Sequence, residues 1–363
     1  MKFDETILRL LYFQLMKNNN IYISEVMKHG RPNVLKYHEC TLSSLKANEL
    51  QIQVHYSGIN FADILGRMGL YPSAPKPPYV PGFEISGKVM AAENDSHSHW
   101  IGKSVMAMTR FNGYSSVLNI PENQVFEIEE SFLKQGAAIP VNYLTAYFMM
   151  TKQANLQKNE WILIHGIGGG VGIAALQLAK FLGANIIGTA SKQKHERLQG
   201  MGIEHLIDYQ REDFYEQVMN ITDGKGADVI LDSLGGKALK KSYDSLGEFG
   251  RLVTYGFSQV ASGNKKNWLK IIPEYLGMPK FNPMKLMMEN KGVFGFHLGM
   301  LSQRQDLIQE ISRHLIQWLS DGRISPVVDK VFPLSEAKEA HQYIADRKNF
   351  GKILLSPIFD NSK

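Results

Sequence analysis

Near the middle of the chain the apolar run Trp161-Ile-Leu-Ile-His165 leads directly into Gly166-Ile-Gly-Gly-Gly-Val-Gly172, and the helical pattern Ile173 to Leu182 follows. This order of strand, glycine turn and helix constrains the fold more than any other stretch, because it is the order in which phosphate-cradling α/β units open. Glycines tolerate positive φ and let a backbone approach a pyrophosphate. The free N–H groups and positive end of the following helix favour its negative charge. The spacing Gly166, Gly169, Gly172 differs from the commonest dinucleotide fingerprint, whose first two glycines are separated by a single residue. A tight turn with no ligand also selects glycine, so the surrounding pattern has to decide.

That pattern is an alternation. Between Asn142 and Leu298 the candidate strands are Trp161 to His165, Asn185 to Thr189, His205 to Ile207, Asp228 to Asp232, Arg251 to Tyr255 and Gly292 to Phe296, with helical patterns between them. Such a series predicts a doubly wound parallel sheet, so the turn is read as a cofactor site contributed by Gly166, Gly169, Gly170, Val171 and Gly172. From Ile21 to Val141 the texture is instead β-rich and broken by glycine and proline, with strands expected at Leu50 to Tyr56, Gly82 to Val89, Ser104 to Met108 and Tyr114 to Asn119. After Leu298 come an amphipathic helix near Arg304 to Leu319 and β-like runs at Pro326 to Phe332 and Lys352 to Leu355. The expected fold class is therefore α/β, a Rossmann sheet at 142–298 inserted in a mostly β domain. That domain is split into 21–141 and 299–363, behind an extension at 1–20. A ligand cleft is expected between two such bodies.

The length of 363 residues agrees with two domains of about 150 to 200 residues each. Hydrophobic residues at 44% and charged residues at 21% fit a globular chain, and the net charge of +5 is too dispersed for nucleic acid to be an expected partner. One cysteine, Cys40, excludes an internal disulfide and a thiolate metal cluster, which fits a reducing cytoplasm. The run Thr6 to Met16 contains Arg9 and falls short of the roughly 20 residues that span a bilayer. It reads as an amphipathic extension rather than a signal peptide, with Met16 as a second candidate start.

An NAD site places Asp or Glu at the end of the second strand of its sheet, where it binds the ribose 2′-hydroxyl. Here that strand ends in Thr189-Ala-Ser191-Lys-Gln-Lys194 and offers no acid. Hydroxyls and lysines suit the 2′-phosphate of NADPH, although Lys192 and Lys194 also read as solvated residues at a helix start.

Taken together, Gly58-Ile-Asn60-Phe-Ala-Asp63, Arg67, Gly69-Leu-Tyr71, Pro81-Gly-Phe-Glu84-Ile-Ser-Gly87, the glycine turn, Ile207-Asp-Tyr209 and Asp232-Ser-Leu-Gly-Gly236 resemble the quinone oxidoreductase branch of the medium-chain dehydrogenase/reductases. Val141-Asn-Tyr-Leu-Thr-Ala-Tyr147, Lys194-His-Glu-Arg-Leu198 and Gly295-Phe-His-Leu-Gly299 are similar to the vesicle amine transport protein subgroup within it. The resemblance implies a GroES-like catalytic domain around the Rossmann domain, NADPH as cofactor and a homodimer through the Rossmann sheet. It carries Lys194 and Tyr209 over as the pair that clasps the 2′-phosphate. It further implies Asn60 and Thr145 at the nicotinamide, and Gly256, Phe296 and Leu298 along the cofactor.

Zinc-dependent relatives hold a catalytic metal with Cys, His and Cys or carboxylate. Asn60 stands where they have the first cysteine, and Pro81-Gly-Phe-Glu84 replaces Gly-His-Glu, so no metal is expected. Glu84 reads as a structural anchor, and His97 and His99 as a solvated turn. Without a Lewis acid, the expected reaction is hydride transfer to a quinone or an α,β-unsaturated carbonyl. Tyr71, Tyr147 and Asn60 are candidate hydrogen-bond donors to the developing oxyanion, with ordinary ring packing as the alternative for the tyrosines. The segment Gly263 to Gly292 mixes Lys265, Lys266, Lys270, Lys280, Lys285 and Lys291 with Trp268 and several methionines. It reads either as a peripheral membrane contact or as helix packing and dimer surface. An NADPH-binding adaptor or lipid-handling protein without turnover is the alternative to the reductase.

Overall fold

The computed structural model describes residues 20–258, 266–301 and 303–357. The N-terminal extension with Met16, the stretch 259–265 with Lys265, and the side chain of Lys270 lie outside what is described. Seven strands precede residue 140: β1 (Asn20–Val26), β2 (Leu35–Thr41), β3 (Glu49–Ile59), β4 (Glu84–Ala92), β5 (Ser104–Met108), β6 (Val117–Pro121) and β7 (Val125–Glu127). Six follow: β8 (Trp161–His165), β9 (Asn185–Ala190), β10 (His205–Asp208), β11 (Ala227–Asp232), β12 (Leu246–Thr254) and β13 (Gly292–Gly295). The last two are β14 (Val328–Pro333) and β15 (Lys352–Ser356).

The chain divides into two units. Of the described residues, one unit holds those up to Pro140 together with Val328–Lys348 and those from Lys352 on; the other holds those within 141–327 and Asn349–Gly351. The return to the first unit thus begins at Val328 and not at 299 as expected. The cause is the helix Gln305–Ser320, whose Ile308, Ile311, Leu315 and Leu319 are buried within the second unit, where Trp318 also meets Phe181 and Tyr147. Its amphipathic pattern announces that it packs, not against which body.

In the first unit the sheet order is β14-β15-β3-β4-β5-β7, with β6 also on β3, while β1 and β2 form a separate antiparallel pair. Alternation along β3 sends Leu50, Ile52 and Val54 into a core with Ile85, Val105, Leu118 and Ile120. Each such side chain contributes roughly 1.5 to 3 kcal/mol relative to exposure. The strand expected from Tyr114 begins only at Val117, because the Tyr114 ring is drawn into a buried polar cluster described below.

In the second unit all neighbours run parallel in the order β10-β9-β8-β11-β12-β13. Ile162, Leu163, Ile164, Val229, Ile230 and Leu231 are buried, which is why these parallel strands read as apolar runs. The order reverses between β8 and β11, so the carboxyl ends of those two strands flank the switch point where doubly wound sheets bind ligands. The strand expected at Arg251 to Tyr255 starts earlier, at Leu246, with a register irregularity opposite Ala227 and Val229.

Candidate functional site

The glycine turn leaves β8 at the switch point. Gly166 has φ +64°, and a Cβ on Gly172 would stand 2.5 Å from the Gly166 carbonyl oxygen and 2.6 Å from Ile167 Cα, so both positions demand glycine. The helix Gly170–Leu182 starts at once, with Gly169 as its N-cap. The Gly166 N–H donates to Thr189 Oγ1 and the Gly169 N–H to the Gly166 carbonyl, so these two glycines shape the turn rather than offer it donors. Helix geometry leaves the first-turn amides of Gly170, Val171 and Gly172 for an anion.

The next strand end supplies charge. Ser191 follows β9, and Lys194 extends its side chain over the turn, with Cδ 2.9 Å from where a Cβ on Gly168 would lie. Tyr209 follows β10, the parallel neighbour of β9, and is 37% exposed. Asp208 beside it accepts from the Gln210 N–H, so its carboxylate is engaged locally. Ser191 and Lys194 thus follow the carboxyl end of one strand, and Tyr209 that of its parallel neighbour. Sequence reading did not single out Arg197 with Phe350, whose guanidinium carbon stands 3.9 Å from the ring centroid in the same unit.

Gly256 and Phe296 follow the ends of β12 and β13; Phe296 donates its N–H to the Thr254 carbonyl and packs its ring on Phe148. Leu298 opens the short helix Leu298–Leu301. Thr145 is buried on the helix Asn142–Tyr147, and Tyr147 at its end lies 5.8 Å from Trp318, the packing contact its alternative reading anticipates.

In the first unit Asn60 belongs to a buried triad. Lys352 Nζ donates to Asn60 Oδ1 at 2.7 Å and to Glu84 Oε1, while Asn60 Nδ2 donates to Glu84 Oε1 at 2.9 Å and to the Gly58 carbonyl at 3.4 Å. Both amide protons of Asn60 are thus engaged inside the protein. Its expected role as a donor to substrate oxygen therefore requires one of these bonds to be exchanged. Lys352 escaped sequence analysis, since a lysine opening an apolar strand ordinarily reads as solvated.

Beside the triad, Asp63 accepts the backbone N–H groups of Asn60 and Gly82, and burial pushes its pKa up to about 7 against the lowering effect of those bonds. The buried Arg67 donates through Nε to His341 Nδ1, whose Nε2 meets Tyr114 Oη at 2.9 Å, and Tyr114 in turn bonds Asp63. Burial depresses the His341 pKa, which keeps the ring neutral and able to accept from Arg67. Burial, then the nearby Asp63 charge, raises the Tyr71 pKa, so its hydroxyl stays a donor; its ring sits edge-on to Phe83.

Among the described residues no three His, Cys, Asp or Glu side chains gather as a metal would require. His97 pairs with Glu122 at 2.9 Å, whereas His99 turns to the Ser96 carbonyl. The oxygens of Asn60 and Glu84 converge on the Lys352 ammonium.

Residues 46–169 match the alcohol dehydrogenase GroES-like domain, and residues 201–355 match the zinc-binding dehydrogenase family. The synaptic vesicle membrane protein VAT-1 homolog of Danio rerio is 35% identical over 86% of this chain, which spans 65% of that protein; the Rattus norvegicus homolog is 34% identical, with 85% and 77% covered. The chain belongs to the medium-chain dehydrogenase/reductase family. Within it the likeness runs to VAT-1 and quinone oxidoreductase-like proteins. The crystal structure of Escherichia coli quinone oxidoreductase complexed with NADPH superposes on this dehydrogenase/reductase with a TM-score of 0.80 at 30% identity, covering 93% of this chain and all of the other. The CurK enoyl reductase superposes with 0.80 at 29% identity, covering 93% and 99%.

Proposed function

We propose that this protein is an NADPH-dependent, zinc-independent reductase that passes hydride to a quinone or an α,β-unsaturated carbonyl. The glycine turn carries the reading: three first-turn amides remain for a pyrophosphate, Lys194 overlies the turn, and no acid stands at the end of β9 to repel a 2′-phosphate. Kinship with a quinone oxidoreductase that binds NADPH and with an enoyl reductase supports the cofactor and the acceptor class. Bound, NADPH supplies the hydride from its nicotinamide C4. The chain's own part is to hold the dinucleotide through Gly170, Val171, Gly172, Ser191, Lys194 and Tyr209, and to offer hydroxyl donors. Tyr71 keeps its proton across the neutral range, and Tyr147 and Thr145 are the further candidates. Titrating NADPH and NADH, then adding a quinone and enone panel in the same cuvette, tests the whole reading. Selective NADPH binding with oxidation is expected, and Lys194→Ala should cost NADPH about 1.5 to 3 kcal/mol while leaving NADH nearly unchanged. Equal losses for both would remove the phosphate assignment. Selective binding without turnover would favour the adaptor.

The helices Trp268–Leu276 and Pro283–Glu289 favour a second, compatible reading, in which they make a peripheral contact with anionic lipid. Trp268, Leu269, Ile272, Tyr275 and Leu276 are spaced along one face of the helix Trp268–Leu276 and all are exposed, Leu269 by 88%. Met284, Met287 and Met288 are exposed on the helix Pro283–Glu289. Lys266, over the Trp268 ring at 4.0 Å, and the exposed Lys280 and Lys285 add positive charge nearby. Co-sedimentation with phosphatidylserine liposomes at low salt, lost in Leu269→Glu, is the expected result; no binding by the unaltered protein would end this reading. Among the described residues no helix is long and apolar enough to cross a membrane. A homodimer through the outer edge of β13, which has β12 as its one neighbour among the described residues, completes the proposal and is checked by sedimentation equilibrium.

A further inference from the structure

Behind the glycine turn lies a chain of buried polar groups that the functional reading does not use. His165, Thr189, Asp232 and Ser242 are all at most 1% exposed, and they join the carboxyl ends of β8, β9 and β11 to the helix Ala238–Asp244. Ser242 Oγ donates to Asp232 Oδ2 at 2.6 Å, which leaves its lone pairs for the N–H of His165 Nε2 at 3.1 Å. With that proton on Nε2, the unprotonated Nδ1 accepts from the Thr189 hydroxyl at 3.2 Å. Thr189 Oγ1 then accepts the Gly166 N–H at 3.1 Å. Every donor in the series points toward the Asp232 carboxylate, whose second oxygen takes the N–H groups of Leu234 and Gly235. Aligned bonds of this kind polarise one another in a low-dielectric interior.

We propose that Thr189, oriented by His165, Ser242 and Asp232, is the positioning residue that presets the glycine turn for the dinucleotide pyrophosphate. Gly166 carries the positive φ on which the turn depends, its carbonyl takes the Gly169 N–H, and its own N–H is fixed by Thr189. Holding that peptide in place before a ligand arrives removes an ordering cost from binding. Burial depresses the His165 pKa, in keeping with the neutral ring this series needs. The inference rests on the dinucleotide reading above and deepens it, since it assigns the network to binding and not to the chemical step.

The test is NADPH and NADH titration of the full chain with Thr189→Val, Thr189→Ser, His165→Asn and His165→Phe. Thr189→Val keeps the shape and strands the Gly166 N–H, so it should weaken both dinucleotides by about tenfold and by the same factor, because the pyrophosphate is common to them. Thr189→Ser restores the hydroxyl and should bind within about twofold of the unaltered protein. His165→Asn keeps an acceptor for Thr189 and should bind more tightly than His165→Phe, which keeps none. A merely structural role would make Thr189→Ser and Thr189→Val differ in melting temperature while their affinities stayed alike. Unchanged affinity in Thr189→Val, alongside binding by the unaltered protein, overturns the inference alone; no binding of either dinucleotide by the unaltered protein overturns the functional reading and the inference with it.

Discussion

At the residue scale the strongest commitment is the burial of charge in the first unit. Lys352 and Glu84 are 3% and 0% exposed at their side chains, so neither is solvated and each depends on the other. Removing one partner leaves an uncompensated charge, and Lys352→Met should lower stability by about 3 to 5 kcal/mol. Adding Glu84→Gln should recover part of that loss, measured as a coupling in a urea-denaturation cycle. A single-variant cost below about 1 kcal/mol would mean that the two side chains do not depend on each other as their burial implies. Asp63 should behave in the opposite way. Its pKa is raised to about 7 by burial, above the ordinary carboxylate value of about 4 that it has when unfolded. The folded state therefore holds the proton more tightly, and the stability this gives is complete below about pH 4 and lost as pH rises through about 7. Asp63→Asn has no such dependence. Its stability relative to the unaltered protein should climb between about pH 4 and 7 by up to roughly 4 kcal/mol. A constant offset across that range would show that Asp63 titrates as an exposed carboxylate does.

At the scale of elements, the turn and the helix Gly170–Leu182 act as one piece because Gly172 lets them touch. Gly172→Ala would place a methyl against the Gly166 carbonyl and Ile167 Cα, so turn and helix must separate. Loss of NADPH and NADH affinity in equal measure, with a lower melting temperature, is the expected outcome. Gly200→Ala is the control: it ends the helix His195–Gly200, nothing lies within 4 Å of the added methyl, and it should leave binding unchanged and stability equal or higher by up to about 1 kcal/mol. This region was also the most legible in the sequence. Parallel strands buried on both faces must be continuous apolar runs, so β8, β9 and β11 stood out, and in the turn between β8 and its helix the positive φ of Gly166 and the close contacts at Gly172 both disfavour a side chain. The first unit was harder to read, because its polar centre is assembled from distant positions. Glu84 and Lys352 lie 268 residues apart, and Arg67 and His341 lie 274 apart. No local periodicity encodes such a pairing. The Rossmann body was likewise recognisable up to β13, but the destination of the helix Gln305–Ser320 depended on which apolar surface was free to receive it.

At the scale of the whole molecule, the chain passes from one unit to the other after Pro140, Val327, Lys348 and Gly351. The last two passages bracket a three-residue excursion, Asn349–Gly351, in which the Gly351 N–H donates to the Gly168 carbonyl at 2.9 Å. The next residue is Lys352, which holds Glu84 and Asn60 in the first unit. One short covalent segment therefore serves both the glycine turn and the buried triad, and loosening either should be felt at the other. Dinucleotide binding offers a way to see this. At a free concentration of about 100 times its Kd, NADPH should stabilise the folded state by about 2.7 kcal/mol, enough to raise the melting temperature by several degrees. If the shared segment couples the units, scanning calorimetry will show one transition that moves as a whole, and Lys352→Met will lower it without splitting it. Two transitions, of which NADPH moves one, would mean that Asn349–Gly351 joins the units without making their unfolding cooperative.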